Sequence, residues 1–359
     1  MKRLRTFFGG ILLLVLLQVP AFAAEQGQPD ITPQMTMAEI RANPSIQGSG
    51  ISTYGIGDAD CAYWRRKSDA STLEQQVGPI AAPDCADGLN LAIRNYNAGI
   101  QVTWQVYSPE EIAADSSLGA VQLYYYPADV PNARYALVLG GNALRWTGEL
   151  SEGIASAAQL HEQGYAVFVL RYSTWTNLDD NRPLTDLGRA VQFITAHAGQ
   201  FDVQAEDYAL IGYSSGGHLC GLFGSAKDYG YKHYDVPKPG ALILAYSVID
   251  FAEVKPVYHL TMDPCTLDWR YYWTTVADAV TEEYPPVYFW YGAKDAWVLA
   301  TGYYTQWPAL QKTLDAYGVP YKKVIYASVQ HGSSTGRGTE ADGWLAQAAA
   351  FWEEQTARK

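Results

Sequence analysis

The sequence predicts an α/β fold: a mostly parallel, eight-stranded sheet with helices on both faces, preceded by an N-terminal extension. Three observations carry that prediction. Eight short runs near residues 102–107, 121–126, 135–140, 166–171, 208–212, 241–248, 287–292 and 322–327 have the length and apolar content of strands. From the third onward they alternate with helical patterns near 150–163, 185–199, 215–225, 302–317 and 340–355. That alternation implies parallel strands joined by crossover helices. Runs such as Ala166-Val-Phe-Val-Leu170 are apolar at every position, as strands covered on both faces must be.

Residues 1–23 read as a secretory signal peptide: Met1-Lys-Arg-Leu-Arg5, an apolar run from Ile11 to Val19, then Ala21-Phe-Ala23. The apolar core is shorter than a membrane span, and no later stretch reaches about 18 apolar residues. Removal of residues 1–23 takes away three positive charges and moves the formal charge from −12 to −15. An exported, secreted or periplasmic protein of that acidity is repelled by nucleic acid and by anionic membrane surfaces, so neither is expected as a partner. Residues 24–100 form an extension with short helical patterns at 35–41 and 85–97. It either packs on the main domain or caps the site. Residues 101–359 make the main domain, with a lid-like insert around 250–284 between the sixth and seventh strands.

The four cysteines of an exported chain allow two disulfides. Cys61 and Cys85 flank a polar segment and are the expected pair; Cys265 would join either of them or neither. Cys220 is expected as a buried, inert thiol. No cysteine or histidine spacing suits zinc, and no metal or cofactor is implied.

Chemistry enters at Tyr208-Ala-Leu-Ile-Gly-Tyr-Ser-Ser-Gly-Gly-His218. Gly212-Tyr213-Ser214-Ser215-Gly216 is a G-x-S-x-G between a strand and a small-residue helix, the context that makes a nucleophile elbow of an otherwise common turn. Glycines two residues on either side of Ser214 leave room for close strand–helix approach. The helix N-terminus under Ser214 favours negative charge forming beside it. In such sites the partner groups follow in the order Ser, Asp or Glu, His. Asp295 follows the strand Pro286-Val-Tyr-Phe-Trp-Tyr-Gly292, and His331 is the only one of six histidines beyond it. Separations of 81 residues from Ser214 to Asp295 and 36 from Asp295 to His331 leave room for the intervening strand–helix units. Asp250, at the end of the preceding strand, is the alternative acid, and Asp315 falls on a solvated helix face. Ser214, Asp295 and His331 would then lie past the carboxyl ends of the fifth, seventh and eighth strands, where open α/β sheets bind ligands.

The strand Tyr135-Ala-Leu-Val-Leu139 opens into Gly140-Gly141-Asn142. The N–H groups of Gly141 and Asn142, with that of Ser215, are the expected oxyanion donors. His218, just past the elbow, is expected to make a structural hydrogen bond.

Taken with Ala166-Val-Phe-Val-Leu-Arg-Tyr-Ser173, Pro183-Leu-Thr-Asp-Leu-Gly-Arg-Ala-Val-Gln-Phe193, Tyr284-Pro-Pro-Val-Tyr-Phe-Trp290 and Gly318-Val-Pro-Tyr321, these motifs resemble the α/β-hydrolase esterases and lipases. The resemblance spans roughly residues 120–357 and is strongest to the acetyl-xylan and feruloyl-type carbohydrate esterases. It departs at Asn142, where the family has a third glycine, and at Tyr246-Ser-Val, where the family has Tyr-Pro-Val. The resemblance implies a serine hydrolase acting on carboxylic esters, with small-molecule or polysaccharide-linked ester substrates. A serine peptidase on the same fold, and a catalytically weak carbohydrate-binding or adhesion module, are the alternatives. Trp269, Tyr272 and Trp273 of the insert are candidate substrate contacts, although 27 tyrosines and 11 tryptophans make aromatic residues common in this chain.

Overall fold

A computed structural model of the chain describes residues 30–53, 69–144, 147–174, 181–227, 229–251, 275–296 and 303–358. The eight strands are β1 Thr103–Gln105, β2 Gln122–Tyr126, β3 Tyr135–Leu139, β4 Ala166–Arg171, β5 Ala209–Tyr213, β6 Ala241–Ala245, β7 Val287–Gly292 and β8 Tyr321–Tyr326. They form one sheet in the order β1-β2-β4-β3-β5-β6-β7-β8. The β1–β2 and β2–β4 pairs are antiparallel and the other five pairs are parallel.

The parallel strands are covered on both sides because alternate residues enter different cores. Leu137, Leu139, Phe168, Leu170, Leu210, Leu242, Leu244 and Phe289 pack on one face. Ala136, Val138, Val167, Val169, Ile211, Tyr213, Ile243 and Trp290 pack on the other. The first face is roofed by helices α5 Pro109–Ala114, α7 Arg182–Ala196, α8 Ala198–Phe201, α9 Ser214–Phe223, α10 Val276–Ala279 and α11 Tyr303–Tyr317. The period-2 alternation that separates solvated from buried positions in an exposed sheet here separates two apolar layers. Of the parallel strands only β8 keeps a solvated character: among its six residues Tyr326 alone is buried. Lys322 and Lys323 lie on this edge strand, where charge discourages further strand pairing.

The opposite face is roofed by α6 Ala155–Glu162, α12 Trp344–Thr356 and the helices of the extension. Those are α1 Met37–Ala42, α2 Pro44–Ser49, α3 Leu73–Val77 and α4 Ala82–Asn97. A capping box of Thr36 with Glu39 starts α1, and Thr72 with Gln75 starts α3. The long α4 turns Cys85, Ala86, Leu89 and Ala92 inward. Its Asn90 amide clasps the Ile31 backbone, accepting at 2.8 Å and donating at 2.9 Å. The described part of the extension is thus a layer of the main core.

Three expectations are corrected. Strand β6 ends at Ala245, not near 248, because Tyr246 has left-handed backbone (φ 37°). The helix expected over 150–163 begins as a wider π-turn at Glu149–Ile154 before regular α6. Cys85 is a free thiol rather than half of a Cys61–Cys85 disulfide: it lies wholly buried on the inner side of α4, in an apolar cluster. Cys61 and Cys265 lie outside the described residues. Cys220 is free and buried, as expected.

Helix α4 meets the π-turn at Gly88, where an added Cβ would stand 2.2 Å from the Ile154 carbonyl oxygen. Backbone cannot yield as a side chain can. Gly88→Ala is therefore expected to destabilise the protein by ~1–3 kcal/mol in urea unfolding. Gly199→Ala, on α8 with nothing within 4 Å of the new Cβ, should be neutral or stabilising by up to ~1 kcal/mol.

Candidate active site

Strand β5 runs into α9 without a connecting loop. Tyr213 is extended (φ −106°, ψ 135°), Ser214 is left-handed (φ 48°), and helix begins at Ser214 itself. A non-glycine residue in that region carries strain that its surroundings must hold in place. Here the surroundings are close backbone contacts. A Cβ on Gly212 would lie 2.4 Å from Gly217 Cα, and one on Gly216 would lie 2.4 Å from Leu139 O. Glycine at both positions lets α9 press against the ends of β3 and β5, which lifts Ser214 above the sheet edge.

Two loops bring the partners. Asp295 follows β7 and is fully buried, while the His331 side chain, after β8, is 19% exposed. His331 Nδ1 lies 2.9 Å from Asp295 Oδ2, and His331 Nε2 lies 2.9 Å from Ser214 Oγ. An ionised carboxylate can only accept, so Nδ1 carries the proton and Nε2 is left to accept from the serine hydroxyl. The three residues form one continuous hydrogen-bonded chain. Asp250 takes no such place: it bridges Thr275, and its backbone N–H donates to Gln306 Oε1 at 2.9 Å. Asp315 is exposed and accepts from the Tyr321 hydroxyl.

The turn after β3 lies against the elbow: a Cβ on Gly141 would stand 2.6 Å from Ser214 Cβ. Asn142, Ala143 and Leu144 all have left-handed backbone (φ 88°, 58° and 60°). Leu144 N–H donates to Ser215 Oγ at 3.1 Å, and the Tyr172 hydroxyl donates to Gly140 O at 2.5 Å. The expected donor set needs one correction. Gly141 N–H does not face an open oxyanion position; it donates to Glu152 Oε2 at 2.6 Å. Asn142 remains on the turn, and Ser215 lies in the first turn of α9, where a backbone N–H has no intrahelical acceptor.

Sequence reasoning missed Glu152. Its other oxygen accepts the Tyr246 hydroxyl at 2.7 Å. Burial pushes its carboxyl above the usual carboxylate range, against the smaller lowering effect of the Gly141 and Tyr246 donors and of nearby His331. The available signal was an acid at the start of a helical segment whose neighbours, Leu150, Gly153 and Ile154, are otherwise suited to burial. Tyr246, expected from the sequence only as the end of the sixth strand, packs its ring edge-on to His331 at 5.0 Å.

The histidine loop is also held from the extension. Buried Asp84 on α4 accepts from Thr335 Oγ1 at 2.6 Å and Arg337 Nε at 2.9 Å. Trp269, Tyr272 and Trp273 lie outside the described residues. Among the described residues, no group of three or more His, Cys, Asp or Glu is placed to hold a metal ion, and no helix is long and apolar enough to cross a membrane.

The sheet order, its covering helices and the strand–helix elbow are those of the α/β-hydrolase fold. Residues 128–262, from the approach to β3 through the elbow, match the BD-FAE family model. The chain is 26% identical over 205 residues to endo-1,4-beta-xylanase B of Butyrivibrio fibrisolvens, covering 54% of this chain and 31% of the relative. It is 24% identical over 135 residues to an acetylxylan esterase of Xylanibacter ruminicola, covering 38% of this chain and 27% of that protein. The chain thus spans about a third or less of the length of these curated relatives. Among solved structures it resembles the acetyl ester-xyloside bifunctional hydrolase of Caldicellulosiruptor lactoaceticus, with TM-score 0.53 and 21% identity over 65% of this chain and 88% of that one.

His218 sits four residues beyond Ser214, fully buried, with Nδ1 3.2 Å from Val248 O and its ring edge-on to Phe251 at 4.6 Å. Burial depresses its pKa from 6.5 to about 4. The unfolded chain therefore takes up this proton near pH 6.5, while the folded chain refuses it until about pH 4. Stability from this residue is complete above pH 6.5 and is lost as pH falls towards 4, by on the order of 3 kcal/mol in all. Thermal unfolding across that window should fall less steeply in His218→Asn than in the parent.

Proposed function

We propose that this chain is an exported serine esterase that removes acyl groups from carbohydrate, with Ser214, His331 and Asp295 as its catalytic triad. The observation that carries the reading is the unbroken Asp295–His331–Ser214 hydrogen-bonded chain on a strained elbow beside a glycine turn. A serine with no base beside it is a weak nucleophile. One whose proton has an acceptor at 2.9 Å, itself oriented by a buried carboxylate, is activated.

In the proposed reaction Ser214 Oγ attacks the ester carbonyl carbon as its proton passes to His331 Nε2. Asp295 holds the ring and stabilises the imidazolium. The carbonyl oxygen becomes an alkoxide held by the N–H groups of Asn142 and Ser215, with the α9 N-terminus adding favourable potential. Collapse breaks the bond to the alcohol oxygen, which leaves with the proton from His331, and the acyl group remains on Ser214. Water, deprotonated by His331, then attacks the acyl-enzyme; the second collapse returns the proton to Ser214 and releases the acid.

The carbohydrate half of the proposal rests on the relatives, whose names are those of a xylanase, an acetylxylan esterase and an acetyl ester-xyloside hydrolase. Export rests on the N-terminal sequence alone. The test is hydrolysis of p-nitrophenyl acetate and release of acetate from acetylated xylan by the chain without residues 1–23. Ser214→Ala and His331→Ala should lower kcat by about 10⁴-fold or more and Asp295→Asn by about 10²–10⁴-fold, with KM little changed. Equal rates in parent and Ser214→Ala would overturn the reading. Activity on p-nitrophenyl acetate with none on acetylated xylan would remove only the carbohydrate assignment.

A further inference from the structure

Resting on the esterase reading, we propose that Glu152 is a positioning residue that keeps the oxyanion turn in register with the histidine loop. One carboxylate oxygen takes Gly141 N–H at 2.6 Å and the other takes Tyr246 O–H at 2.7 Å. Two donors converge on one side chain, and a carboxylate, which accepts at both oxygens, is the group that fits them. Gly141 immediately precedes Asn142, the turn's proposed oxyanion donor, and lies against Ser214. Holding the Gly140–Gly141 peptide therefore restricts the backbone one residue before the Asn142 N–H that approaches the reacting oxygen.

The other arm reaches His331. Tyr246 Oη also accepts Ser334 N–H at 3.0 Å, and the Tyr246 ring packs edge-on to the His331 ring. Ser334 Oγ donates to Ser151 O, one residue before Glu152, and Ser334 O accepts Trp344 Nε1 at 3.0 Å. The π-turn at Glu149–Ile154 thus binds the histidine loop through its backbone and the oxyanion turn through its carboxylate. Glu152 stands in neither the proton path nor the oxyanion position. It joins the two loops that supply them.

The test uses Glu152→Gln, Glu152→Ala, Tyr246→Phe and the Glu152→Ala/Tyr246→Phe double variant, assayed on p-nitrophenyl acetate with Ser214→Ala alongside and thermal unfolding recorded for each. Misplacement of a catalytic group by about 1 Å lowers rate roughly 100-fold, so Glu152→Ala should lose about 10–100-fold in kcat with KM within about twofold. Glu152→Gln, which keeps one acceptor for Gly141, should recover most of that loss. The double variant should lose little more than Glu152→Ala alone, because both single changes cut the same link.

Folded Glu152→Ala and Tyr246→Phe proteins with parental kcat would overturn the proposal, even if both melted earlier. So would losses in the double variant that simply multiply. If Glu152→Ala does not fold, Glu152→Gln and Tyr246→Phe decide: parental kcat in both overturns the proposal, whereas a loss in Tyr246→Phe exceeding that in Glu152→Gln supports it. A parent no faster than Ser214→Ala would overturn the esterase reading and this proposal together. A Ser214-dependent parent beside unchanged Glu152 and Tyr246 variants would overturn this proposal alone.

Discussion

Helix α9 starts in close backbone contact with the ends of β3 and β5, and the arrangement of the site depends on that approach. Gly212 and Gly216 permit it, since a Cβ on either would collide with backbone. The approach confines Ser214 to left-handed backbone, at a cost on the order of 1–3 kcal/mol. It also sets the Gly140–Asn142 turn against the serine, because Gly141 likewise has no room for a side chain beside Ser214. Nucleophile and oxyanion turn are thus positioned by the same packing.

The remaining groups reach this point from different layers of the fold. Asp295 and His331 come from the ends of β7 and β8, the last two strands of the sheet. Buried acids tie together the segments around them: Glu152 binds the oxyanion turn and Tyr246, Asp84 binds Thr335 and Arg337, and Asp186 binds Tyr107 and Ser173. Each of these carboxylates meets at least two donors, the condition under which a buried acid is tolerated. Through Asp84 the extension becomes part of the support of the histidine loop, so the main domain without its extension would lack one anchor of His331.

Much of this was legible in the sequence, for identifiable reasons. Fully apolar runs such as Ala166–Leu170 have one stable location, the middle of a sheet covered twice. The order Ser214, Asp295, His331 could be read because only one histidine follows the late strands. Contacts between distant side chains were not legible. Gly141 looked like an oxyanion donor because nothing local shows that Glu152, eleven residues on, curls back through a π-turn to take its N–H. Cys85 is expected as a disulfide partner because the segment between it and Cys61 is polar, whereas helical periodicity turns its own side chain inward. Strand β6 looked longer because Tyr246-Ser-Val is apolar enough for a strand, and only its backbone geometry ends it.

In the proposed reaction Ser214 Oγ is the atom that carries the acyl group, and that intermediate can be weighed directly. The chain would be mixed with an activated acetyl ester, quenched in acid during the first turnovers, measured by intact mass and mapped by peptide digestion. One added acetyl group is expected, located on the peptide that contains Ser214 and absent from Ser214→Ala. Rapid ester turnover with the acyl group on another residue would contradict that assignment.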